Sequence, residues 1–278
     1  MTHKQEKSSM LSQGVFIFVY LAVLTVLEFG IAITFNSTVL LVVIALVKAV
    51  LVVYYYMHIY KLNAEHEGDE DSYEYKSGTN RIGLWLFLVS DSFVFGGLMV
   101  MRINLLGLTH PHLDQTLGLI VTGVLLVSSF FMNRGETLMA NGDRKGFITN
   151  TLITFVLGLG FLIGVVFVEW PNAIAEGITP GSGPAGAAFF MMTGMHAFHV
   201  LTGLIFLLVV LNNARRGLYD EKHYPVEAAA VYWHFVDVVW IFFYPALYLI
   251  GAIAKKLSIS RRLEKYKIGA TCTGRPDF

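Results

Sequence analysis

The chain has 278 residues, of which 55% are hydrophobic and only 14% charged, with equal numbers of acids and bases and a mean hydropathy of +0.61. Soluble domains carry about 25% charged residues, so composition excludes that class, and zero net charge gives no basis for a nucleic-acid partner. The single cysteine, Cys272, excludes a disulfide framework and a thiolate metal cage.

The start, MTHKQEKSSMLSQ, is basic and polar and leads into an apolar run. That run, about 22 residues, exceeds the roughly 7–15 of a signal-peptide core, so a retained membrane anchor is expected. A crossing needs about 20 mainly apolar residues. Seven stretches qualify: 13–35, 38–60, 82–101, 115–132, 147–169, 186–211 and 229–252. All must be helical, because lipid leaves unpaired backbone groups unsatisfied and no alternating barrel pattern appears. The expected fold is all-α, an integral membrane bundle of seven transmembrane helices arranged as two plus five.

Asn36-Ser37 is a tight turn, which makes the first two spans an antiparallel hairpin over residues 1–60. Residues 61–80 form a charge-dense linker with six acids between Glu65 and Glu74. A five-helix unit then fills 81–252, with an irregular loop at 171–186 that holds three prolines and four glycines, and a basic tail covers 253–278. No internal repeat is visible, which counts against inverted-repeat transporters.

With the N-terminus inside, the inner segments hold Lys4, Lys7, Lys61, Lys76, Arg81, Arg134, Arg144, Lys145, Arg215, Arg216 and Lys222, whereas the outer loops hold only Arg102. The tail opposes this, but several internal loops outweigh one terminus, so N-inside and C-outside is expected. Arg102, Arg215 and Arg216 lie at span ends, where a guanidinium can meet lipid phosphates.

Ionisable groups at bilayer depth cost about 2.5–3.5 kcal/mol each on insertion scales and need a partner or a purpose. They are Glu28, Lys48, Asp91, His196, His199, His234 and Asp237. Counted from the turn, Glu28 and Lys48 differ in depth by about 6 Å, a gap that a lysine stem covers, so an ion pair stapling the hairpin is expected. Asp91, His199 and Asp237 fall at similar depth on antiparallel helices. His196 and His199 share a face, as do His234 and Asp237. Spacing alone leaves three readings: a structural polar cluster, a metal site, or proton and lipid handling. Tyr54, Tyr55 and Tyr56 read as belt residues, and the tryptophans include interfacial anchors.

Residues 189–250 contain Thr193-Gly194-x-His196-x-x-His199-Val200 and then EAAAVYWHFVDVVW from Glu227 to Trp240. This closely resembles subunit III of the haem-copper respiratory oxidases, and RIGLWLFLVSDSFVFGGL (81–98) is similar to the acidic membrane helix of the same family. Asp91 stands where that family normally has glutamate. The resemblance covers about 81–251, the five-helix form. LTVLEFG (24–30) with ALVKAVLVVYYYMHIYK (45–61) is similar to the small subunit IV of bacterial oxidases, which implies a fused subunit IV/III chain.

The resemblance implies a non-catalytic subunit of a proton-pumping terminal oxidase in the bacterial inner (cell) membrane, with cytochrome c the expected electron donor. Haem and copper would reside in partner subunits, with no cofactor in this chain beyond bound phospholipid. Subunit I would be the main partner, beside subunit II, phospholipids and other respiratory complexes. Asp91 takes the position of the membrane acid, and His196, His199, Glu227, His234 and Asp237 form a buried polar cluster. The metal reading thereby recedes. Two alternatives stand beside this one: a scaffold subunit without effect on turnover, and a stand-alone proton or solute transporter.

Overall fold

A computed structural model describes residues 2–35, 37–63, 72–107, 113–219 and 223–250. The chain runs α1 (Thr2–Thr34), α2 (Thr38–Leu51), α3 (Tyr73–Leu106), α4 (Gln115–Ala140), α5 (Arg144–Ile163), α6 (Trp170–Ala175), α7 (Pro184–Arg215) and α8 (Tyr224–Tyr244). Three π-helical turns extend or join them, Val52–Tyr56 after α2, Gly164–Glu169 between α5 and α6, and Pro245–Leu249 after α8. Among the described residues seven helices are long and apolar enough to cross a membrane, with α5 and α6 forming one of them. The protein is an all-α integral membrane bundle.

Several spans outrun the expected ones. α3 begins at Tyr73, so the last eight residues expected in the linker are helical. Ser72 starts the helix, its Oγ accepting from Tyr75 N at 3.2 Å. α4 continues through Gly135 and Glu136 to Ala140. Span two is instead shorter, ending in its π turn, where Met57 N donates to Val52 O. His58 then takes a left-handed backbone (φ 51) that turns the chain into a short 3₁₀ segment, Ile59–Asn63.

The core sits on the last helix. Of the most apolar stretch of the seventh span, 78% is buried, against 17% for α3. α8 packs on α7, α4, α3 and α2, while α1 lies along α4. The hairpin is therefore seated on the five-helix unit. Of the four tryptophans, Trp233 and Trp240 are core residues that donate to Ser128 Oγ at 3.2 Å and Thr122 Oγ1 at 2.9 Å. Trp233 fits because Gly158 of α5 and Gly203 of α7 present no side chain to its ring. Tyr56 is no belt residue either: it is buried, and its hydroxyl donates to Gly14 O of α1 at 3.2 Å.

Candidate functional site

The buried polar residues do not form one cluster. They occupy separate seams of the bundle, because each expected member faces a different neighbour of α7 or α8.

Asp91 of α3 meets His199 of α7, with Oδ2 3.0 Å from Nε2. The other ring nitrogen, Nδ1, lies 2.8 Å from Met195 O. A carbonyl only accepts, so Nδ1 carries a hydrogen directed at it, and Nε2 is the nitrogen presented to the carboxylate. Phe95 closes over the imidazole, ring to ring 4.7 Å.

His234 of α8 points to α4 instead. Its Nδ1 is 2.6 Å from Ser129 Oγ, with Asp237 Oδ2 at 4.0 Å and the Tyr56 ring 5.1 Å away. Asp237 shares a small cavity of about 30 Å³ with Thr25, Lys48, Thr122 and Ser129. His196 has no hydrogen-bond partner on either nitrogen and lies among aromatic rings, 4.9 Å from Trp240 and 5.6 Å from Phe161. Despite sharing a helix face, His196 and His199 serve two different surroundings. Among the described residues no three His, Cys, Asp or Glu side chains are arranged to hold a metal ion.

Glu227 lies at the other end of α8. It accepts from Arg81 of α3 through two bonds of 2.9 Å, with Lys61 Nζ at 3.7 Å. Lys61 also stands 3.9 Å from Glu136 of α4, and His58 stands 3.8 Å from the same oxygen. This ionic group ties the end of the hairpin to α3, α4 and α8 and borders a cavity of about 410 Å³ beneath Tyr54, Tyr55 and Tyr56. Burial, aided by the Lys61 charge, pushes the His58 imidazole down to about 4, so its ring is neutral at physiological pH.

Within the hairpin, Lys48 Nζ donates to Glu28 Oε2, both side chains being almost wholly buried. Arg102, expected to face lipid, is 1% exposed and donates inward, to Gly107 O at 2.5 Å and Ile250 O at 3.3 Å. It ties carbonyls at the ends of two spans. Arg215 and Arg216 are exposed at the end of α7. Sequence reasoning missed Glu136 and Glu169, both more than nine-tenths buried, because they sit within the last turns of spans drawn too short or at their limit. An acid within a turn of an apolar run was the available signal.

A profile of the family described as cytochrome c oxidase subunit III matches residues 6–252. The match takes in the hairpin, so its extent exceeds the five helices from 81 to 251. The chain is 32% identical over 199 residues to quinol oxidase subunit 3 of Bacillus spizizenii, covering 68% of this chain and 97% of that protein. It is equally similar, with the same coverage, to quinol oxidase subunit 3 of Bacillus subtilis (strain 168). Probable quinol oxidase subunit 3 of Staphylococcus haemolyticus is 31% identical over 191 residues, 66% of this chain and 94% of that protein. With the family matched over nearly its whole length, and membrane-spanning helices in the number expected, this chain belongs to subunit III of the haem-copper oxidases.

Proposed function

We propose that the chain is the cofactor-free accessory subunit of a proton-pumping terminal oxidase, which sustains proton uptake, lipid binding and the working lifetime of the catalytic subunit. The observation that carries this reading is the Asp91–His199 pair, a carboxylate and an imidazole 3.0 Å apart at 14% and 10% side-chain exposure between two helices. Burying an acid costs stability, and a scaffold without influence on turnover has no need of one at that depth. The decisive variant is Asp91→Asn in the intact complex. It removes the carboxylate's charge at nearly constant volume, and we expect faster loss of activity during turnover or weaker pumping, with normal assembly. Unchanged turnover, pumping and lifetime would favour the scaffold.

The hairpin reads as the first two helices of a subunit IV fused to a five-helix subunit III and seated where the longer subunit III has helices of its own. Its packing along α4 and α8 supports that reading. Subunits I and II are the expected partners, with the N-terminus inside the bacterial cell membrane. The family description supports cytochrome c as donor, whereas the similar relatives are named for quinol. Oxygen uptake by the purified complex with each donor separates the two.

A further inference from the structure

At the end of the bundle opposite the N-terminus, Leu113, Asp114, Leu117, Glu169, Asn172 and Glu176 are among the residues lining a cavity of about 240 Å³. It lies apart from the pairs described above. Glu169 is 4% exposed and neither of its carboxylate oxygens has a hydrogen-bond partner. The π turn Gly164–Glu169 ends on it, and such widened turns re-aim a side chain that regular helix geometry would send elsewhere. A second carboxylate, Asp114, lines the same cavity. Asp114 Oδ1 already accepts from the leading amides of α4, Thr116 N at 2.8 Å and Leu117 N at 3.2 Å, so those donors are spent. Among the described residues no lysine, arginine or histidine lines the cavity.

Of the three carboxylates lining the cavity, Asp114 and Glu176 are exposed and Glu169 is buried with four lone-pair sites unused, which calls for a cation that donates hydrogen bonds in several directions. A bare metal ion is not matched, since among the described residues no three ligand side chains are arranged to hold one. The cavity walls include Leu113, Leu117, Ala173 and Ala175, which suit an apolar stem. Further into the two spans, Ile120 and Phe167 are exposed, where acyl chains would lie. We propose that this cavity binds the primary ammonium of an aminophospholipid headgroup between Glu169 and Asp114. The proposal rests on the chain being embedded in an oxidase complex, but it concerns a lipid site and is read independently of turnover.

The test uses the intact complex, detergent-washed and reconstituted in nanodiscs of phosphatidylethanolamine, phosphatidylcholine or phosphatidylglycerol. Bound lipid is counted by mass spectrometry after a second wash, and the cavity is viewed by electron cryomicroscopy. The wild type should retain one more phosphatidylethanolamine than Glu169→Gln, with a headgroup density touching Glu169. Phosphatidylcholine, whose quaternary ammonium donates no hydrogen bond, and phosphatidylglycerol should show no such difference. Loss of one charge-assisted partner predicts a fall in occupancy on the order of tenfold or more. Asp114→Asn, which keeps the helix cap, should weaken retention to a smaller degree and serves if the Glu169 variant does not assemble. Equal phosphatidylethanolamine counts in wild type and variants would overturn the proposal. So would a cavity filled by a neighbouring subunit's lysine, by an inorganic ion or by residues 108–112 of this chain.

Discussion

At the scale of single residues, the protein pairs some of its buried charges within the chain. Lys48 and Glu28 illustrate the cost. Lys48→Met leaves a carboxylate buried without its cation and should destabilise the hairpin by about 3–5 kcal/mol, whereas the double change Lys48→Met with Glu28→Leu should recover most of that. Thermal unfolding of the purified complex, followed through the four-member mutant cycle, checks both; equal losses in the single and double variants would remove the pair from the account. Packing is as demanding as charge. A methyl group at Gly158 would fall inside contact distance of the Trp233 ring, which is held by Ser128 and backed by Gly203. Gly158→Ala should therefore cost about 1–3 kcal/mol in the same assay, although alanine is the better helix former. Much of this scale was hidden in the sequence. Depth follows from counting residues along a span, but the direction a side chain faces around its helix depends on neighbours that spacing does not name. Asp91, His199 and Asp237 were thus placed at one level, yet His199 turns to α3 and Asp237 to α4 and the hairpin. The rings enclosing His196 and the serine beside His234 had no signature beyond being small or aromatic.

The elements were more legible, because length and hydropathy determine which stretches cross a membrane and their order. What spacing could not supply was where helices end. α3 and α4 run on through polar residues such as Tyr73 and Glu136, whose side chains find partners on other elements, Tyr224 N and the Lys61 ammonium. The turn between hairpin and bundle is held by one ionic group of His58, Lys61, Arg81, Glu136 and Glu227. Its pH response follows from His58. The folded ring titrates at about 4 and the unfolded one at about 6.5, so above 6.5 both states are neutral and stability is complete. Below that, the unfolded segment takes up a proton first, and stability falls by about 1.4 kcal/mol per pH unit until the folded value is reached. Amide hydrogen exchange of residues 54–63 should accelerate between pH 6.5 and 4, after correction for intrinsic rates. A His58→Gln variant should lose that dependence, and a flat profile in the wild type would mean that the ring is solvated.

For the whole molecule, seven apolar spans and a broad exposed apolar surface suit a subunit embedded among lipids and partner subunits. The family was legible from the run of residues 189–250, which binds α7 to α8 through Thr202, Tyr232 and the tryptophan contacts. The hairpin was harder to place, since its seat on α4 and α8 depends on small features such as Gly14 against Asn133, Tyr56 against the His234 ring, and the cavity shared by Lys48 and Asp237. The most direct measurement of the central claim is to purify the chain through an affinity tag from membranes in mild detergent, then take the redox difference spectrum and identify the accompanying polypeptides. The account predicts haem-containing oxidase subunits in fixed proportion, with the haem remaining on those subunits when this chain is stripped away. Isolation of the chain as a stable, haem-free monomer, or haem that travels with this chain alone, would contradict it.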